Sequence, residues 1–176
     1  MKTAIQNKLE ATRAAFHTLL YKIPEGAWEQ PSRNPAWNIR EMAYHITIAV
    51  SMLPQDIALL RRGGFLARLA KIPPSLFNWF NERLTRRAAR QQTRDSIAQR
   101  YDEAHAHVLQ LLDTIQEDEW QLAAEYPALN VYMPGGQHTI AMMFDYLNLH
   151  FEEHAADIES VLSQSGLRQQ QEVQNE

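Results

Sequence analysis

The sequence contains no cysteine in its 176 residues. Disulfide bonds, cysteine nucleophiles and zinc sites with cysteine ligands are therefore excluded. A lack of cysteine is also compatible with a reducing compartment, and we expect a cytoplasmic location. A signal peptide is not expected, because residues 1–8 contain no continuous apolar segment.

Long apolar runs and a strong net charge are also absent. The longest apolar stretch covers residues 46–53 and includes two polar residues, Thr47 and Ser51. It is shorter than the roughly 20 residues of a membrane span, so no span is predicted. The formal net charge of −4 is too small to favour a nucleic-acid partner for the whole molecule. With 45% apolar and 22% charged residues, the composition is that of one globular domain.

Apolar residues recur at three- and four-residue steps in four segments, which predicts an all-α protein, a four-helix bundle. The segments cover about residues 5–23, 39–62, 94–115 and 140–161. Asn38, Thr93 and Thr139 are candidate N-caps, and Glu41 completes a capping box with Asn38. Pro54 is expected to kink the second helix. Residues 163–176 show no core pattern, so we predict one domain, residues 1–162, with a flexible tail.

Two of the predicted helix ends share a pattern. Residues 19–28 and 111–120 both carry Leu-Leu, Ile, Glu and Trp at the same offsets. Each pattern is followed by a proline-containing loop and another helix. This predicts a duplicated helix–loop–helix unit. The alternative is coincidence between two helix ends.

A long link, residues 62–92, separates the second and third helices and predicts a crossover that lets these helices run parallel. Residues 61–94 contain nine Lys or Arg residues and a single acidic residue, Glu82, together with large apolar residues such as Trp79. We interpret the link as a short helix packed on the bundle with a solvated basic face. A lid beside a site, or an amphipathic patch for an anionic surface, is the alternative.

Three of the seven histidines lie on the predicted inner faces of helices. His150 and His154 are one turn apart in the fourth helix, where two imidazoles can reach a single ion. His45 lies on the inner stripe of the second helix. A buried imidazole needs a hydrogen-bonding partner or a metal ion. The pattern therefore predicts a divalent metal site on His45, His150 and His154, for which zinc, nickel or iron is suitable. Three separate core histidines are the alternative.

The other histidines are not expected to bind this ion. His105 and His107 are two residues apart on the third helix, so their side chains point to different sides. His17 lies off the apolar stripe of the first helix and is predicted to be exposed. His138 precedes the fourth helix, where it is a candidate for the rim of the site.

Residues 37–45, Trp-Asn-Ile-Arg-Glu-Met-Ala-Tyr-His, resemble the opening of the second helix in the DinB/YfiT-like superfamily. Residues 149–158, Leu-His-Phe-Glu-Glu-His-Ala-Ala-Asp-Ile, resemble the His-x-x-x-His motif of its last helix. The resemblance covers most of residues 5–162 but not the link at 62–92. It implies a four-helix bundle with a long crossover, a divalent metal ion on the three histidines, and a homodimer.

Characterised members of that superfamily use the metal to activate a low-molecular-weight thiol, as bacillithiol S-transferases and the mycothiol-dependent maleylpyruvate isomerase do. The resemblance therefore implies a metal-dependent transferase or isomerase with a thiol cosubstrate and a small-molecule substrate. Glu153 and Asp157 are candidates for orienting the histidines, with solvated helix residues as the alternative. Metal-assisted hydrolysis and a non-enzymatic, stress-associated metal-binding module are further alternatives.

Overall fold

The computed structural model describes residues 1–62, 73–126 and 135–174. Within these ranges the protein has five α-helices, which in chain order are α1 (Lys2–Lys22), α2 (Ile39–Arg61), α3 (Pro74–Ala89), α4 (Arg94–Thr114) and α5 (Ile140–Gln174). Helices α4 and α5 each pack against both α1 and α2, so these four form the bundle in the order α1, α4, α2, α5. The predicted all-α fold is confirmed.

The predicted caps start three of these helices. The side chain of Asn38 accepts a hydrogen bond from the backbone N–H of Glu41 at 2.8 Å, and the Glu41 carboxylate accepts one from the Asn38 N–H at 3.0 Å. Thr93 caps α4 in the same way with Ser96. The hydroxyl of Thr139 accepts from the N–H of Met142 at the start of α5. These bonds satisfy N–H groups that the first helical turn leaves free.

Helix α2 runs through Pro54 without interruption and has the length and hydropathy of a membrane span, with a mean hydropathy of 1.2. The core helix of a soluble protein meets the same criteria. Nine of the residues of α2 are buried, and the helix packs on three other helices. This favours a core helix over a span. The helix ends at Arg61. Gly63 and Gly64, which were predicted to end it, lie outside the described residues.

The two halves of the bundle repeat a local structure. Ile23 and Ile115 end α1 and α4 in nearly the same extended conformation, with φ/ψ of −68°/116° and −65°/125°. Each is followed by a 3-10 turn and a buried tryptophan, Trp28 or Trp120. In both halves, the first residue of the next helix donates its backbone N–H to the carbonyl of the residue two positions after the tryptophan. Ile39 donates to Gln30 and Ile140 donates to Leu122, both at 3.0 Å. The two segments with a shared sequence pattern therefore share one geometry.

A short antiparallel hairpin, which the sequence does not predict, lies before α5. Its strands are β1 (Ala123–Tyr126) and β2 (Gly136–Thr139), and Ala123 pairs with Thr139. Gly136 has a φ of +132°, a conformation that favours glycine. The Gly-rich pattern before Thr139 predicts only a loop, because a four-residue strand carries too little alternation to be recognised.

The crossover contains the predicted short helix, α3, which packs on α2. Thr85 and Ala89 of this helix are buried. The Arg86 Nε donates to the Ala36 carbonyl at 2.6 Å and ties α3 to the segment before α2. The basic face is exposed, as expected, but large apolar side chains are exposed as well. Residues 63–72 of the link lie outside the described residues. The predicted flexible tail stays a prediction: α5 extends as a helix to Gln174.

Arg13 and His17 of α1 both donate to Asp102 of α4, at 2.7 and 2.8 Å. Burial alone would raise the pKa of Asp102, but these hydrogen bonds outweigh it and lower the pKa. A carboxyl group with a lowered pKa stabilises the fold above its unfolded pKa, and this contribution is lost as the pH falls through the lowered value.

We therefore expect Asp102→Asn to lower the free energy of unfolding at pH 7 by about 0.5–1 kcal/mol, a small value because the side chain is 38% exposed. The difference from wild type should shrink as the pH falls below about 4, because Asp102 is then increasingly protonated in the unfolded state and, at lower pH, in the folded state as well. Urea unfolding at several pH values measures this. Asp118→Asn, at an exposed position, removes the same charge as a control. A deficit unchanged at low pH would contradict the assignment.

Candidate metal centre

His45 reaches the bundle interior because of where α2 begins. The Asn38 cap fixes the first turn, and the buried residues Met42 and Ile46, with exposed fractions of 0% and 1%, then define the inner face of the helix. His45 lies between them, directed towards α5. His45 is the least buried of the three histidines, although its Nδ1 atom is buried, so the cluster is nearest to the protein surface on this side.

His150 and His154 lie on the inner stripe of α5, as predicted. The stripe steps from Met143 through Leu147 to His150, His154 and Ile158, and all five are buried. Apolar side chains above and below thus hold the two imidazoles one turn apart and facing α2.

The three imidazoles converge through their Nε2 atoms. The Nε2 atom of His150 lies 3.1 Å from Nε2 of His45 and 3.2 Å from Nε2 of His154. One ligand atom from each residue lies within 4.8 Å of the others. Three nitrogens bound to one zinc ion at about 2.0–2.1 Å are ~3.3 Å apart in a tetrahedral arrangement. The two distances from His150 are close to this value, and the third pair lies within 4.8 Å.

Hydrogen bonding between the rings does not explain the cluster as well as an ion does. A neutral imidazole nitrogen carries either one proton or one lone pair, so Nε2 of His150 cannot make a good bond to both neighbours at once. A shared cation would engage all three lone pairs. The residues present therefore fit a divalent metal ion.

The electrostatic environment keeps the ligands neutral. Burial, and then the charge that His154 would carry, lowers the pKa of His45 to about 3. Burial also lowers the pKa values of His150 and His154, although Asp157 opposes the shift at His154. Neutral rings have free lone pairs at neutral pH, which is the form that metal binding requires.

Trp37 covers one side of the cluster. Its ring lies 4.2 Å from that of His45 and 6.2 Å from that of His154, measured between centroids. Its buried Nε1 has no hydrogen-bond partner among the described residues. Tyr146, one turn before His150, lies 5.4 Å from that ring. The sequence motif at residues 37–45 begins with Trp37, but it does not predict the contact of this ring with His45.

The carboxylates of Glu153 and Asp157, predicted as candidates for orienting the histidines, do not hydrogen-bond to the rings of His45 or His154. The Nδ1 atoms of His45 and His154 are buried and have no hydrogen-bond partner within the described parts of the chain. Neither Glu153 nor Asp157 therefore holds either ring. Glu153 is nevertheless not a simply solvated residue: one of its carboxylate oxygens is buried, and burial followed by the charge of Asp157 raises its pKa.

None of the remaining histidines belongs to this group of three. His105 is buried and His107 exposed, which confirms that they point to different sides. His17 is partly buried rather than exposed, because it bonds to Asp102. The sequence predicts His138 in a loop at the rim, but it lies in β2 and is buried.

A family comparison agrees with this geometry. The sequence model of the DinB superfamily matches residues 8–158. The chain belongs to the DinB superfamily. The match spans more than three quarters of the chain and includes all three histidines. No curated protein and no solved structure gives a match. Membership of the DinB superfamily thus supports the bundle and a possible metal site, without identifying a reaction.

Proposed function

We propose that the protein is a metal-dependent transferase or isomerase that acts on a small electrophile with a low-molecular-weight thiol as cosubstrate. The observation that carries the proposal is the convergence of the Nε2 atoms of His45, His150 and His154. When bound, a divalent ion would supply Lewis-acid chemistry that lowers the pKa of a coordinating thiol. The chain has no cysteine, so the sulfur would come from the cosubstrate.

The chain's own residues would have three tasks. The histidines would present neutral nitrogen ligands, and three such ligands would leave positions for a cosubstrate. Trp37 would shield one face of the His45 imidazole, against which its ring lies. The partial exposure of His45 would give small molecules a way to approach. The homodimer and the cytoplasmic location inferred from the sequence accompany this proposal as predictions.

The test is a conjugation assay on protein loaded separately with zinc, nickel or iron. Bacterial low-molecular-weight thiols are paired with a panel of electrophiles, and the product is identified by mass. We expect metal-dependent turnover that His45→Ala abolishes. His107→Ala, which removes an exposed histidine, should keep full activity.

Two outcomes would contradict the proposal. Turnover that proceeds without any thiol would indicate hydrolysis by an activated water. No turnover with any thiol, combined with unfolding on metal removal, would indicate an ion that only stabilises the bundle.

A further inference from the structure

Helix α3 exposes an unusual number of large apolar side chains. Leu76, Trp79, Phe80 and Leu84 are 44%, 50%, 49% and 63% exposed. Leu76, Phe80 and Leu84 follow one another at four-residue steps, so they form a single line along the helix. The buried residues Thr85 and Ala89 lie on the opposite side, against the bundle. The apolar line therefore faces away from the protein.

A basic cluster continues the same outer face. Arg83, Arg86 and Arg87 lie in the second half of α3, and Arg90 directly follows its last residue. Together with Trp79 and Glu82 they line a groove. The Arg83 guanidinium lies 5.7 Å from the Trp79 ring centroid. No carboxylate in the described parts of the chain forms an ion pair with Arg83, Arg87 or Arg90. The outer face thus combines exposed apolar residues with unpaired positive charge.

The distribution of charge along the chain would turn α3 towards an anionic surface. Residues 61–94 hold nine of the 17 basic residues and only one of the 21 acidic residues. The rest of the chain is therefore strongly acidic. An anionic surface would attract α3 and repel the remainder, so the helix would approach first.

We propose that α3 binds the surface of a membrane that contains anionic lipids. In this arrangement the helix lies in the interface, as basic amphipathic helices do. Leu76, Trp79 and Phe80 enter the boundary between headgroups and acyl chains. Arg83, Arg87 and Arg90 bind lipid phosphates, which match guanidinium groups in charge and geometry. Helix α2 stays in the bundle core, so the protein does not need to span the bilayer.

Two other occupants fit this face less well. A second copy of the chain, paired through the same helix, would bury the arginines of both copies with only one carboxylate on each helix, Glu82. Nucleic acid would bind the arginines through its phosphates, but it would leave Leu76, Phe80 and Leu84 in water. A lipid surface accommodates both halves of the face.

The test uses the full chain and vesicles of phosphatidylcholine, with or without phosphatidylglycerol. Flotation should show binding to the anionic vesicles that weakens as salt rises. Trp79 provides a direct readout, because the other three tryptophans, Trp28, Trp37 and Trp120, are buried. Its emission should shift to shorter wavelength on binding, and lipids brominated in the acyl chain should quench it.

Two double variants separate the contributions. Arg83→Glu with Arg87→Glu should weaken binding by about 25-fold or more, since each basic residue near an anionic surface contributes roughly fivefold. Trp79→Ser with Phe80→Ser should abolish insertion. Arg100→Glu, at an exposed arginine of α4, reverses one charge outside α3 as a control and should bind like wild type. Circular dichroism verifies that each variant is folded.

Several results would overturn the proposal. These are no binding to anionic vesicles at low salt, equal binding to neutral vesicles, or equal weakening by Arg100→Glu. Loss of a dimer on Trp79→Ser with Phe80→Ser, seen by sedimentation, would show that a second copy covers the face. Displacement of the protein from vesicles by duplex DNA would favour nucleic acid.

Discussion

His150→Ala is expected to leave a folded chain that retains almost no divalent metal. The Nε2 atom of His150 is the central one, within 3.2 Å of Nε2 in both other histidines. Its removal leaves two imidazoles on different helices, and a two-ligand site binds ions far more weakly. We expect metal per chain to fall at least about 10-fold, since even changes outside the ligand set cost 10- to 100-fold in affinity. Elemental analysis of protein purified without chelators or a His-tag measures this.

His107→Ala is the matched control for this experiment. It removes the same functional group from an exposed position on α4, and its metal content should equal that of wild type. Circular dichroism should show similar helicity in all three proteins. If wild type carries no metal and takes up none of zinc, nickel or iron, the assignment of the three histidines as metal ligands is wrong. If His150→Ala retains its metal, the ion lies elsewhere.

Trp120→Ala is expected to cost about 3–5 kcal/mol of unfolding free energy, as other truncations of large buried aromatic residues do. Trp120 is 1% exposed and packs against Phe144 of α5. Its turn follows α4 and is held by Arg61, whose guanidinium donates twice to the Glu119 carboxylate at 2.7 and 2.8 Å. Denaturant unfolding followed by circular dichroism measures the loss.

Trp120→Phe separates packing from hydrogen bonding at this position. The Trp120 Nε1 is buried without a partner among the described residues, so replacement by phenylalanine loses ring volume but no hydrogen bond. We expect it to cost clearly less than the alanine variant. Equal losses in the two variants would show that the packing account is wrong.

Helical periodicity is sufficient to predict the bundle and the inward direction of its histidines. Stripes such as Met143, Leu147 and Ile158 repeat at helical steps over several turns, and His150 and His154 fall on the same line. The side chains of Asn38 and Glu41 predict the start of α2 because capping depends on residues only three apart. Local signals of this kind are readable from one sequence.

Contacts that depend on the path of a loop cannot be predicted in the same way. The position of Trp37 over His45 is set by the turn after α1 and by an isolated bridge between Pro31 and Asn38. The burial of His138 depends on a hairpin of four-residue strands. The outward direction of Trp79 follows from which face of α3 meets α2. None of these arrangements produces a periodic pattern.

The ligands of the centre come from both repeated units, His45 from the first and His150 and His154 from the second. Slippage of one unit by a single residue would turn His45 through about 100° around its helix axis. The shared coordination point would then be lost. A bound ion would thus fix the relative alignment of the two halves. At a free metal concentration 100 times the dissociation constant, binding would raise the free energy of unfolding by about 2.7 kcal/mol.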